Sequence, residues 1–174
     1  MNLPNSLTLL RLVLVPVYAL LFYYTQWHLA TLIIFMIAAA TDWVDGYLAR
    51  KMNLITDLGK LMDPLADKIL TISAFILMSS LGFLNPLIVI LIVARELMIS
   101  IFRAVAASKH VVIAASIYGK SKTVLQFMSI IVFHLMRITD FIPSLAFQIL
   151  VVLMTLATLM SGVDYLVKNR KVIL

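Results

Sequence analysis

Cysteine is absent from the 174 residues, which excludes disulfides and thiol catalysis. Charge is scarce too: Asp, Glu, Lys and Arg make up 13% of the chain, against about 25% in an ordinary soluble protein. Acids number 8 against 14 bases, for a formal net charge of +6. There is no long linker, no low-complexity tract and no internal repeat, so nothing divides the chain into parts. What it has instead is apolar surface: 63% of its residues are hydrophobic and the mean hydropathy is +1.09. A chain so composed cannot give water a polar coat. The expected solvent is a membrane, and no nucleic-acid partner is expected.

A membrane span needs roughly 20 apolar residues, and six stretches reach that length, at about 8–26, 29–49, 61–81, 86–107, 119–138 and 143–166. The expected fold is all-α, an integral membrane bundle of six transmembrane helices forming a single domain over residues 1–174. The first stretch is too long for a signal peptide and no small-residue cleavage site follows it, so it reads as a retained span. Ahead of it Met1–Leu7, with Pro4, Asn5 and Ser6, is expected to form a short interfacial segment. Lys and Arg set the orientation, because they accumulate on the cytoplasmic side of short loops. Arg11, Arg50, Lys51, Lys60, Lys68, Arg95, Arg103, Lys109, Lys120 and Lys122 fall toward one side, with Lys168, Arg170 and Lys171 at the C-terminus. The connections 25–29 and 80–86 carry no base at all. Both termini are therefore expected in the cytoplasm, on a multi-pass chain in the plasma membrane.

Against that background stand Asp42, Asp45, Gly46, Ala49, Arg50, Gly59, Asp63 and Asp67, in the spacing D-x2-D-G-x2-A-R-x8-G-x3-D-x3-D. Acids at the ends of apolar spans are expensive and mark function. On helices Asp42 and Asp45 are i,i+3 and Asp63 and Asp67 are i,i+4, so each pair shares a face. The opposite directions of the two spans bring both pairs to the cytoplasmic third of the membrane. Carboxylates so crowded repel and take up protons unless a cation neutralises them, and an all-oxygen set suits Mg²⁺, Mn²⁺ or Ca²⁺. Gly46 clears one helix face for something bulky, Ala49 keeps it narrow, and Arg50 is placed to fork onto a phosphate. Gly59 gives the next span a flexible start, with Thr56 and Asp57 beside it as polar contacts. Close helix packing would also use small residues, and Lys60 and Lys68 would also pair with the acids. The full pattern favours a ligand site over that reading.

At every motif position these residues resemble the signature of the CDP-alcohol phosphatidyltransferase family, and the resemblance covers essentially the whole chain. It implies a six-helix membrane bundle, commonly a homodimer, that binds a CDP-linked donor and a divalent metal, Mg²⁺ or Mn²⁺, as two ions. By the same resemblance Asp42, Asp45 and Asp63 are metal ligands that also hold the donor diphosphate. Asp67 is the general base with a share in ligation, and Gly46, Ala49, Arg50 and Gly59 are nucleotide contacts. Asn5, Thr8 and Arg11 repeat at i, i+3 and i+6, a polar stripe at the membrane surface that either touches the nucleotide or anchors the helix. Four further runs resemble the bacterial members that use glycerol 3-phosphate as acceptor: N-L-P-N-S-L-T-L-L-R-L-V-L-V-P, Ala94-Arg95-Glu96, V-V-I-A-A-S-I-Y-G-K-S-K-T-V-L-Q and S-G-V-D-Y-L-V-K-N.

Such an acceptor is a dianion and needs two or three cations near the donor site. Arg103, Lys120 and Lys122 flank the fourth and fifth spans on the cytoplasmic side, and Arg95 lies deeper. Topology alone would also place Arg103 there, and Arg95 with Glu96 would also serve as a structural ion pair. Asp164 is a weaker candidate for the same pocket. The expected reaction moves a phosphatidyl group from CDP-diacylglycerol to sn-glycerol 3-phosphate amid membrane lipids. Serine, inositol phosphate or phosphatidylglycerol as acceptor is the alternative within the class. Divalent-cation transport is the alternative outside it, and charge confined to one leaflet speaks against that.

Overall fold

The computed structural model describes the backbone of residues 3–51, 57–109, 111, 116–139 and 141–169, and the side chains of these except 3–5, 7, 42–51, 57–65 and 67. The described chain is all-helical, with α1 (Leu3–Tyr24), α2 (His28–Lys51), α3 (Asp57–Ser80), α4 (Pro86–Ser108), α5 (Ile117–Ile138) and α6 (Ser144–Lys168). Local chemistry sets the boundaries. The Asn85 side chain accepts the Leu87 N–H at 2.9 Å, with Pro86 opening α4. Ser116 Oγ accepts the Gly119 N–H at 3.2 Å at the start of α5. Gly82 takes a φ of 79° after α3, which glycine reaches without steric cost. The N–H groups of Gly82 and Phe83 then donate to the carbonyls of Ser79 and Met78, at 2.9 and 3.1 Å, and close the helix end.

These helices match the six apolar stretches to within about a turn, except at the start of the chain. There α1 begins at Leu3, so residues 3–7 of the expected interfacial segment are helical and continuous with the first apolar stretch. Pro4 falls in the first turn, where its missing N–H leaves no helical bond unmade. Among the described residues one helix, α6, is long and apolar enough to cross a membrane, while Thr8–Tyr24, His28–Thr41 and Lys68–Ser80 are shorter apolar stretches. Arg95, Glu96 and Arg103 interrupt the apolar run of α4, and Lys120 and Lys122 that of α5.

The helix α1 packs against α2 and α3, α5 packs against α6, and contacts of α2 with α5, α3 with α4 and α4 with α6 close the bundle. One end is sealed by aromatic rings. Tyr18 and Phe22 from α1, Phe35 from α2, Phe133 from α5 and Phe147 from α6 are buried in the same core. Phe22 and Phe133 stack with centroids 5.8 Å apart, and the Arg137 guanidinium lies over both, at 5.7 and 6.0 Å. Phe83, from the α3–α4 turn, meets Phe133 edge-on at 5.1 Å. Each such contact contributes about 0.5–1.5 kcal/mol beyond area burial. Inside this cluster the Tyr18 hydroxyl and His134 Nε2 form a hydrogen bond of 3.0 Å, tying α1 to α5.

Tyr18→Phe keeps the ring and leaves His134 Nε2 without that partner. Thermal unfolding of the detergent-solubilised protein is expected to register a loss of about 1–3 kcal/mol. An unchanged midpoint would mean that the pair carries no net stability.

Candidate functional site

At the other end of the bundle a buried cation sets the geometry. Arg11 is 0% exposed; its Nε donates to the Ala38 carbonyl at 3.3 Å and to Thr41 Oγ1 at 3.4 Å. Thr41 Oγ1 donates to the same carbonyl at 2.7 Å. Arginine from α1 thus clamps the turn of α2 that runs directly into Asp42. Thr8 and Arg11, two residues of the polar stripe on α1, are both buried within the bundle, and the Arg11 guanidinium finds its acceptors on α2.

Beyond the clamp, Asp42, Asp45, Gly46, Ala49 and Arg50 stand on α2, and Asp57, Gly59, Asp63 and Asp67 on α3. The two helices pack together. The side chains of these residues and of Asn5, and Thr56 altogether, lie outside the described residues.

Next to these turns is a cavity of about 430 Å³. Ala38 and Ala39, one turn before Asp42, form part of its wall, and so does Lys68, which follows Asp67. Six basic side chains line it: Arg11, Lys68, Arg95, Arg103, Lys120 and Lys122. Arg95, Arg103, Lys120 and Lys122, the candidates for an anionic acceptor, are thus brought together from α4 and α5. Thr8 is buried but does not line the cavity. Asp164 is not brought there either; it pairs with Lys168 one turn on, at 2.7 Å.

Among the described residues Glu96 is the one carboxylate in the wall. Its Oε1 accepts from Lys122 Nζ and, at 3.2 Å, from Arg95 Nη1. The Arg95, Glu96 and Lys122 side chains are only 12%, 9% and 7% exposed, and buried charges persist only when paired and hydrogen-bonded. Helix α6 supports this wall from behind. At Gly162 a Cβ would lie 3.4 Å from Arg95 Cγ, so glycine there lets the helices close on the arginine stem. The Arg103 guanidinium sits over the Tyr165 ring at 5.9 Å, which orients it without neutralising it.

Glu96, Gln126, Arg11 and Lys68 line the cavity although the sequence reading gave them no place in an acceptor site. For Gln126 a signal existed: it is polar on an otherwise apolar stretch, one helical turn from Lys122. For the others the signal was the charge itself, which topology explained equally well.

A profile of the family described as CDP-alcohol phosphatidyltransferase matches residues 1–163. The chain is similar to a Bacillus subtilis (strain 168) protein named CDP-diacylglycerol–glycerol-3-phosphate 3-phosphatidyltransferase, 37% identical over 97% of this chain and 95% of that protein. It is similar to an Aquifex aeolicus (strain VF5) protein of the same name, 35% identical over 99% of this chain and 98% of that one. A probable phosphatidylglycerophosphate synthase of Mycobacterium tuberculosis is 39% identical over 96% of this chain and 81% of its own length.

Glu96→Gln leaves Lys122 and Arg95 buried without their counter-charge. Thermal unfolding in detergent is expected to show a loss of about 3–5 kcal/mol, with part of it recovered when Lys122→Met is added. Strictly additive losses would mean that the two side chains do not depend on each other.

Proposed function

This chain belongs to the CDP-alcohol phosphatidyltransferase family, and we propose that it uses its basic cavity to hold a phosphorylated acceptor beside the aspartate-bearing helices. It is a transferase that moves the phosphatidyl group of CDP-diacylglycerol to sn-glycerol 3-phosphate, giving phosphatidylglycerophosphate and CMP. The observation that carries the acceptor assignment is the cavity wall, six bases around a single described carboxylate, an excess of positive charge suited to a phosphate dianion. In this reading Arg103, Lys120 and Lys122 hold the phosphate, with Arg95 behind them.

Asp42, Asp45, Asp63 and Asp67 stand on two packed helices, and an all-oxygen donor set fits Mg²⁺ or Mn²⁺, here as two ions. When bound, the metal supplies charge neutralisation at the donor diphosphate and the departing CMP oxygen. Asp67 takes the proton of the primary hydroxyl as that oxygen forms its bond to the phosphatidyl phosphorus and the bond to CMP breaks. Asp67 directly precedes Lys68 of the cavity wall, which suits a hydroxyl end turned toward α3 and a phosphate end turned toward α4 and α5. Gly46, Ala49, Arg50, Thr56, Asp57 and Gly59, with Asn5 and Thr8, hold the nucleotide.

The same reading sets all six helices across the plasma membrane as one domain, with both termini and the cavity cytoplasmic and two copies forming a homodimer. Large apolar side chains exposed along α6, among them Leu145, Val152, Leu156 and Val163, suit contact with lipid, and the donor tails leave sideways between helices.

Purified protein in detergent with CDP-diacylglycerol and Mg²⁺ or Mn²⁺ is expected to release CMP when given glycerol 3-phosphate, and to stop with EDTA. Turnover only with serine, inositol phosphate or phosphatidylglycerol would overturn the acceptor. Arg103→Ala and Lys120→Ala are each expected to raise KM for glycerol 3-phosphate about 10- to 100-fold, with KM for the donor unchanged. Asp67→Asn is expected to lose nearly all turnover while keeping much of the donor binding. Donor binding as poor as that of Asp42→Asn would remove the base assignment.

A further inference from the structure

Gln126 lines the cavity from α5 and is 3% exposed. A buried carboxamide is tolerated when both its oxygen and its N–H groups find partners. Its orientation follows from chemistry. The Lys122 ammonium one turn before it has three donors and no acceptor, so the amide turns Oε1 toward Lys122 Nζ, at 3.5 Å. Glu96 holds the same ammonium from the other side and thereby fixes the amide indirectly. Nε2 is left as the unmet donor of this wall residue, buried with no hydrogen-bond partner among the described residues. An unmet donor in a polar cavity is a position that a ligand oxygen completes.

The kind of oxygen follows from the neighbours. Arg103 and Lys120, which are exposed, serve the charged end of a ligand. Gln126 is neutral, lies one turn further along α5 than Lys122, and suits an uncharged oxygen. In glycerol 3-phosphate the primary hydroxyl is committed to attack and the phosphate to the cations. The secondary hydroxyl remains. We infer that Gln126 is a specificity-determining contact for the acceptor, donating its Nε2–H to the secondary hydroxyl. The inference rests on the acceptor reading of this cavity given above.

The test compares glycerol 3-phosphate with 3-hydroxypropyl phosphate, the same molecule without the secondary hydroxyl, in the full-length protein and in Gln126→Leu. The unsubstituted protein is expected to prefer glycerol 3-phosphate in kcat/KM by about tenfold, the effect of one buried hydrogen bond. Gln126→Leu is expected to erase that preference through a fall for glycerol 3-phosphate alone, with KM for CDP-diacylglycerol unchanged. Gln126→Met has a similar length, adds no charge and lacks the donor, so it gives the same loss if the leucine variant fails to fold. No preference in the unsubstituted protein, a preference retained in the variant, or an equal fall for both alcohols overturns the inference. Lys120→Ala separates the two levels. If it leaves KM for glycerol 3-phosphate unchanged, the acceptor reading falls. If it raises that KM while the Gln126 variants keep their preference, only the role of Gln126 falls.

Discussion

The Glu96 carboxylate accepts hydrogen bonds from two cations at once, Lys122 and Arg95, on a single oxygen, and the basic cavity is built around that junction. Like charges a few ångströms apart repel by several kcal/mol where water is largely excluded; at 4 Å and an effective dielectric constant of 20 the figure is about 4 kcal/mol. Six bases around one space would drive α4 and α5 apart without an anion between them. Glu96 supplies one negative charge where the helices are closest to the problem and leaves most of the positive charge unanswered. The wall keeps an excess of positive charge, which suits the proposed acceptor with its two negative charges.

That arrangement needs a rigid frame, and the opposite end of the bundle provides it. Tyr18, Phe22, Phe35 and Phe133 are buried together, and the Tyr18–His134 hydrogen bond joins α1 to α5 across that core. Arginine is handled differently at the two ends. Arg137 spreads its guanidinium over the Phe22 and Phe133 rings, whereas Arg11 is drawn inside and bonded to backbone and hydroxyl oxygens of α2. The first pins an edge, and the second locks the α1–α2 contact directly before Asp42. Among the described residues none of α6 lines the cavity, yet Gly162 lies against the Arg95 stem and Tyr165 under the Arg103 guanidinium.

Much of this was legible in the sequence, for reasons particular residues make clear. The helices followed from long runs of apolar residues, broken by Asn85-Pro86 and Ser116, whose capping chemistry is local. The aspartate motif was legible because its spacing is restrictive. The basic set was legible only as charge: a list of Lys and Arg on one side cannot say which of them face inward. Arg11 shows the limit. Its position suggested a surface stripe, but a buried guanidinium depends on the Ala38 carbonyl and Thr41, residues far along the chain whose approach no local pattern announces. Glu96 was read as a partner for its neighbour Arg95. Its link to Lys122 arises from the packing of α4 against the rest of the bundle.

Charge alone would not choose among the alcohols that this kind of transferase can be offered. Serine is a zwitterion with no net charge, so a wall of six bases gives it little of the attraction it gives a phosphate dianion. Inositol phosphate and glycerol 3-phosphate both bring a phosphate, and the cations cannot tell them apart. Discrimination between them must come from the number and placement of neutral oxygens, which only a fixed and uncharged donor can read. A carboxamide oriented by an ammonium, itself oriented by a carboxylate, has that property: Glu96 sets Lys122, and Lys122 sets which end of Gln126 is left to face the ligand. The charged pair therefore does more than balance the cavity. It converts an amide that is free to flip into one with a defined donor, and selectivity for a polyol phosphate becomes a consequence of how the cavity neutralises itself.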